Sequence, residues 1–281
     1  MKVNERTIFV SIVSYSDPLC NATLKSLFEK AKNPERIFVG LVEQELPGSA
    51  FKIYKHPRVR ILKRREARGP AWARFLASTL WEQQDYFMQI DSHTSFIRDW
   101  DERIISMFDK LPRRSVITCY PPGENYTDDM CMKTTADAKD NARLFKGHFI
   151  APWVYRPKRT ICTPGVFVGA NFIFTDARSF LEEIPFDPNL EYLFQGEEIL
   201  LSLRLFTRNW GIYHPEYFIC THVYGREDQP KVWDLKCYKE NNSKSLRRYH
   251  RLIFQPDVNG TLWGSGSREK YDEWKKMVFP I

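Results

Sequence analysis

The chain has 281 residues, 43% of them hydrophobic and 15% aromatic, enough to bury a full core in one large domain or two intimately packed halves. A net charge of +7 and a pI near 9.0 favour an anionic ligand, whether nucleic acid, acidic lipid or a phosphorylated small molecule. The basic residues are dispersed without an RNP, zinc-finger or helix-turn-helix pattern, so no nucleic-acid partner is expected, and no apolar run approaches the roughly 18 residues of a membrane span.

TIFVSIVSY at the start reads as a first strand, and its apolar run from Ile8 is too short for a signal-peptide core, so a soluble, unexported protein is expected. Asp17 and Pro18 then open a helix reaching about Ala31. RIFVGLV and VRILKR read as strands two and three. After the Gly69-Pro70 break, PAWARFLASTLWEQ reads as a helix with Trp72, Phe75, Leu76 and Leu80 on one face. DYFMQID is a fourth strand, a helix follows from about Asp99 to Lys110, and SVITCY is a fifth strand. This alternation implies a mainly parallel sheet with helices on both faces, with ligands beyond the carboxyl ends of its strands.

From Pro121 to Thr160 the pattern gives way to a long loop region or lid rich in Pro, Gly, Asp and Lys. VFVGANFIF resumes as a strand, GEEILLSLRLF as a helix and YFICTHVY as a strand, before a polar tail from about Lys231 with two helical patterns, KSLRRYHRLI and REKYDEWKKMV. The six cysteines show no CxxC pair, which predicts reduced thiols rather than a disulfide frame or a cysteine zinc site. Sequons at Asn21, Asn125, Asn241 and Asn259 matter only in a secretory protein and are read as chance.

Chemistry concentrates in QIDSHTSF, residues 89 to 96. Strand side chains alternate faces, so Asp91 and His93 project to one side where the fourth strand runs out. Either Asp91 caps a turn beside a satisfied histidine, or the pair chelates. The place, at the carboxyl end of a central strand, favours chelation, and His222 at the end of a late strand supplies a second imidazole. One carboxylate and two imidazoles with open positions suit a divalent ion such as Mn2+, or Mg2+, bridging two phosphate oxygens.

The strand end SYSD, the GPxxAR helix start (Gly69, Pro70, Ala73, Arg74), the DSH strand end, the GAN strand, FQGEE at a helix start and the late HVYGR, in this order over residues 7 to 226, resemble the GT-A-fold glycosyltransferases. The chain is most similar to the polypeptide alpha-N-acetylglucosaminyltransferases, a cytoplasmic family that adds GlcNAc to hydroxyproline of a ubiquitin-ligase adaptor protein. The resemblance implies an α/β, GT-A-type Rossmann-like sheet, with a catalytic domain over 1–230 (nucleotide-binding half 1–120, acceptor half 121–230) and a C-terminal extension over 231–281 as a possible lid. It implies a retaining, metal-dependent transferase that moves GlcNAc from UDP-GlcNAc to a protein or peptide hydroxyl in the cytoplasm. By the same resemblance Asp91, His93 and His222 are the metal ligands.

Ser14, Tyr15 and Asp17 fall where related enzymes hold the uracil, and Glu43 ends the second strand nearby as a further nucleotide-sugar candidate, although Asp17 is equally readable as a helix cap. Arg68 and Arg74 flank Gly69-Pro70 and offer forked donors to phosphate; Arg68 reads equally as a surface residue. Ser92 belongs to the same DSH motif. Gly169 and Asn171 fall where the resemblance places donor-sugar contacts, and Glu197 and Glu198 resemble the acidic motif whose carboxylates touch the sugar or acceptor hydroxyl. Both glutamates also suit a helix N-terminus on electrostatic grounds alone. Trp210 is readable as a sugar platform or as core, KSLRRYHR as a lid over the diphosphate or a solvated helix face, and His148 and His214 as structural. The alternatives are a transferase using UDP-Gal, UDP-GalNAc or UDP-Glc on a glycan, and a nucleic-acid-binding module.

Overall fold

The computed structural model describes residues 6–46, 54–125, 129–132, 153–156, 160–226, 228–255 and 261–278. The strands of its main sheet are β1 (Ile8–Tyr15), β2 (Ile37–Gln44), β3 (Val59–Arg64), β4 (Tyr86–Asp91), β6 (Ser115–Thr118), β9 (Thr163–Pro164), β10 (Phe172–Asp176) and β11 (Gly211–His214). They lie in the order β3-β2-β1-β4-β10-β6-β11-β9. β1, β2, β3 and β4 pair in parallel, as do β6 and β11, whereas β10 runs antiparallel between β4 and β6. The mixed α/β architecture with a mostly parallel central sheet is the one expected.

β1 is apolar almost throughout because both of its faces are covered. Ile8, Val10 and Ile12 meet Leu24 and Leu27 of α1 (Cys20–Glu29) and Trp100 and Ile104 of α3 (Trp100–Phe108). Phe9 and Phe87 meet, on the other face, Phe180 of α4 (Ala177–Glu183) and Leu205 of α5 (Glu197–Thr207). One buried carboxylate ties α3 to the loop after α1. Asp101 accepts hydrogen bonds from the Lys32 amide at 2.7 Å, from Asn33 and from the Arg36 guanidinium at 2.6 and 2.9 Å.

Four segments depart from the sequence reading. α2 (Pro70–Ser78) ends earlier than expected, and it buries Ala71, Ala73, Arg74 and Ala77 while its larger apolar residues are half-buried. Small residues win that face because the sheet is close: a Cβ on Gly40 would lie 3.1 Å from the Ala77 carbonyl. The strand expected over VFVGANFIF begins only at Phe172, because Gly169 packs on the end of β6, where a Cβ would meet the Cys119 carbonyl oxygen at 2.6 Å. TSF forms an unanticipated strand, β5 (Thr94–Phe96), which pairs antiparallel with β12 (Cys220–His222), all that remains of the strand expected over YFICTHVY. In the long 121–160 segment, β7 (Asp129–Met132) and β8 (Trp153–Arg156) pair antiparallel; His148 lies outside the described residues.

The tail forms α6 (Tyr238–Phe254) and α7 (Arg268–Val278). Tyr249, Leu252, Ile253, Tyr271, Trp274 and Val278 are buried in one cluster with Ala71, Tyr120, Leu200 and Leu203, so these helices complete a core beside α5. Among the described residues no helix is long and apolar enough to cross a membrane. Trp210 lies in the core, its ring edge against Phe180, and His214 is buried with Nδ1 2.9 Å from the Thr118 carbonyl.

Candidate active site

The carboxyl ends of β1 and β4 and the β5–β12 ribbon open onto a cavity of about 550 Å3, a size usual for small-molecule sites. Three metal-ligating side chains meet in its lining. One ligand atom each from Asp91, His93 and His222 lies within 4.8 Å of the other two. The DSH segment achieves this by breaking: β4 ends at Asp91, the chain bends through Ser92 and His93, and β5 begins at Thr94 in a different sheet. β12 pairs with β5, setting His222 opposite Thr94 and hence beside the bend.

His222 Nε2 is 3.1 Å from Asp91 Oδ2, and His93 Nε2 is 3.9 Å from the same oxygen. Two lone-pair donors this close need a cation between them, a proton or a metal ion. A spacing of about 3 Å is also that of adjacent ligands around an octahedral ion with bonds of about 2.1 Å. Behind His93, Asp17 Oδ2 lies 2.8 Å from Nδ1, which holds the ring so that Nε2 faces Asp91. Asp17 also accepts from Ser92 Oγ at 2.7 Å and from Arg226 Nη1 at 2.6 Å. Burial alone would raise the Asp91 carboxyl, but the hydrogen bond from His222 and the neighbouring His93 and Arg74 hold it well below the usual carboxylate range. One ionised carboxylate and two imidazoles fit a divalent ion.

Arg74 links this cluster to the acidic helix start. Its buried guanidinium donates to Glu197 Oε1, to Asp91 Oδ1 at 3.4 Å and to the Ala170 carbonyl at 3.1 Å. Gly196, at φ +100, turns the chain into α5 so that Glu197 and Glu198 occupy its first turn facing the cavity. The positive φ and the Tyr249 ring, 2.9 Å from where a Cβ would be, leave room for glycine alone. Glu198 Oε1 accepts from the Ala170 amide and from the Tyr120 hydroxyl, each at 2.7 Å. Burial pushes the Glu198 carboxyl up to about 7, against those two hydrogen bonds, and raises Glu197 against the opposing pull of Arg74.

A family model described as glycosyltransferase (GlcNAc) matches residues 7–56 and 47–273. The chain belongs to that family. No curated protein matches it. Its fold is that of the GT-A glycosyltransferases: a structure of GalNAc-T7 with UDP, GalNAc and Mn2+ aligns with a TM-score of 0.59 at 12% identity over 96% of this chain. A structure of S. aureus TarS 1-349 with UDP-GlcNAc aligns at the same TM-score of 0.59 and 13% identity over 98% of this chain and 73% of TarS. The chain spans about half, 54%, of the GalNAc-T7 chain.

In this GlcNAc-family chain the expected donor-site residues divide by position. Ser14, Tyr15, Arg74, Asp91, Ser92, His93, Asn171, Glu197, Glu198 and His222 all line the cavity. Asp17 stands behind it as the support of His93. Glu43 is buried beside β1 and accepts from the Ser16 amide at 2.8 Å, and burial raises its carboxyl. Arg68 is outside the lining, bound to Glu66 and Glu191 at 2.7 Å each and lying over Trp72. Gly169 shapes the turn, and its neighbours Ala170 and Asn171 reach the wall.

Several wall residues had gone unnoticed in the sequence. Gln44 ends β2, Tyr120 follows β6, and both obey the rule that ligands gather at the carboxyl ends of strands. Arg226 closes the HVYGR motif. Phe194 and Trp233, both exposed, meet edge to face at 4.7 Å at the cavity, and no local pattern marks that encounter between segments distant in the chain.

Proposed function

We propose that this chain is a retaining, divalent-metal-dependent glycosyltransferase that moves GlcNAc from UDP-GlcNAc to a hydroxyl of a protein or peptide, hydroxyproline among the acceptors, in the cytoplasm. The observation that carries the reading is the meeting of Asp91, His93 and His222 in the cavity of a GlcNAc-family chain. The UDP, GalNAc and Mn2+ bound to GalNAc-T7 and the UDP-GlcNAc bound to TarS are of the class that such a cavity accommodates.

Asp91, His93 and His222 would hold the ion, which supplies Lewis-acid neutralisation of the diphosphate as it departs. Ser14, Tyr15 and Gln44 form the wall for the nucleobase, and Arg226 and Lys231 bring cationic groups to the diphosphate side. Arg74 keeps Asp91 and Glu197 at a fixed separation. In a retaining transfer the acceptor oxygen bonds to C1 on the face from which the phosphate leaves, and the departing phosphate oxygen takes the acceptor's proton, so no side-chain base is required.

Thermal denaturation with UDP and Mn2+ tests the site. UDP is expected to stabilise the wild type only with the ion present, and Asp91→Ala and His222→Ala to abolish that stabilisation; unchanged shifts in both variants would refute it. Release of UDP across UDP-GlcNAc, UDP-GalNAc, UDP-Glc and UDP-Gal tests the sugar. UDP-GlcNAc is expected to turn over fastest, and finding it the poorest donor would overturn the GlcNAc assignment.

A further inference from the structure

Glu198 is held by one oxygen. Oε1 takes both the Ala170 N–H and the Tyr120 O–H at 2.7 Å, while Oε2 has no partner among the described residues and the side chain lines the cavity. Glu197 differs, since its carboxylate is engaged by the buried Arg74. Tyr120 is itself fixed: the residue is 5% exposed, packed in the cluster of Ala71, Phe167 and Tyr249, and its ring approaches to 3.3 Å the place where a Cβ on Gly169 would be. The phenol that holds Glu198 therefore also abuts the turn that delivers the Ala170 amide. A phenol has one proton, and here it is directed at a carboxylate, which makes this a charge-assisted hydrogen bond when Glu198 is ionised.

We infer that Tyr120 is a positioning residue of the transfer site: by fixing Oε1 of Glu198 it presents Oε2 to accept a hydrogen bond from a hydroxyl of the donor sugar. This rests on the glycosyltransferase reading for the identity of that hydroxyl. Among the described residues, the titratable groups that act on Glu198 besides Tyr120 are Glu197 from its own helix and Arg74 from α2. The Tyr120 bond favours the ionised carboxylate against the cost of burial, so its removal shifts the Glu198 titration to higher pH.

A double-mutant cycle in UDP release from UDP-GlcNAc tests it. Tyr120→Phe keeps the ring and its packing, and is expected to lower kcat/KM about tenfold or more, the usual scale for a hydrogen bond to a charged group. In a Glu198→Gln background the same change is expected to cost little further, because Tyr120 acts through the carboxylate. An equal loss in both backgrounds would overturn the proposal, since a purely structural phenol would be indifferent to residue 198. A second readout needs no turnover. The carboxyl carbon of Glu198, followed by NMR, is expected to titrate at higher pH in Tyr120→Phe than in the wild type, and an unmoved titration would contradict the inference even if every UDP-sugar proved inert. Inertness of the wild type towards all UDP-sugars would instead count against the transferase reading.

Discussion

Asp17 shows how much of the site is set by a residue that does not touch the cavity. Its carboxylate is 1% exposed and joins Ser92, His93 and Arg226, which belong to the two segments carrying all three candidate ligands. Carboxylates behind metal-bound histidines typically change metal affinity roughly 10- to 100-fold. Asp17→Ala is accordingly expected to weaken Mn2+ binding by that factor in calorimetric titration with the fold intact, and undiminished affinity would show that His93 needs no support. Glu198 gives a pH signature of its own. With its carboxyl pushed up to about 7, against about 4.3 in an unfolded chain, the folded state holds this proton more tightly. That contribution to stability is present at pH below about 4.3 and is lost as pH rises to about 7. Glu198→Gln is therefore expected to gain on the wild type in urea midpoint as pH rises from about 5 to about 8; parallel pH curves for the two proteins would contradict this.

Among elements, α3 depends most visibly on one side chain. Asp101 is fully buried and binds two backbone amides, Asn33 and Arg36. Asp101→Ala strands the Arg36 guanidinium, which is 12% exposed, and removing one partner of such a pair costs about 3–5 kcal/mol. Urea denaturation reads this directly, and a loss under about 1 kcal/mol would show that water replaces the carboxylate. The sequence reading reached β1, β2, β3, β4 and α5 because their periodicity and their breaks at Gly69-Pro70 and Gly196 are local. It placed Asp91, His93 and His222 at strand ends for the same reason. It could not reach the direction of β10 or the pairing of β5 with β12, because both are decided by partners far along the chain. Ser92 and His93, consecutive in the chain, both reach Asp17 Oδ2, because the chain bends there between two sheets, and no period-two pattern reveals that bend.

For the whole molecule, the tail is a structural part, its two helices packed in one core with α5. KSLRRYHR divides by face: Ser245 and Tyr249 are buried, Arg248 binds Asp187 at 2.7 Å, and Lys244, Arg247 and Arg251 are exposed. Tyr249 supports Gly196 and Trp274 is fully buried in the same cluster. Trp274→Ala is expected to cost about 3–5 kcal/mol, with the melting of tail and sheet remaining one transition; a separate early transition for the tail would show that it is only appended. The net charge of +7 belongs to this scale as well, since it draws anions towards a cavity whose wall includes Arg74, Arg226 and Lys231.

The most direct test of the whole account is crystallographic: crystals grown with Mn2+ and UDP, with the ion located by its anomalous scattering. The expected result is one manganese peak bonded at about 2.1–2.2 Å to a carboxylate oxygen of Asp91 and to Nε2 of both His93 and His222, with the diphosphate completing its coordination. A manganese ion bound elsewhere, or UDP seated in the cavity without contact to these three side chains, would contradict it.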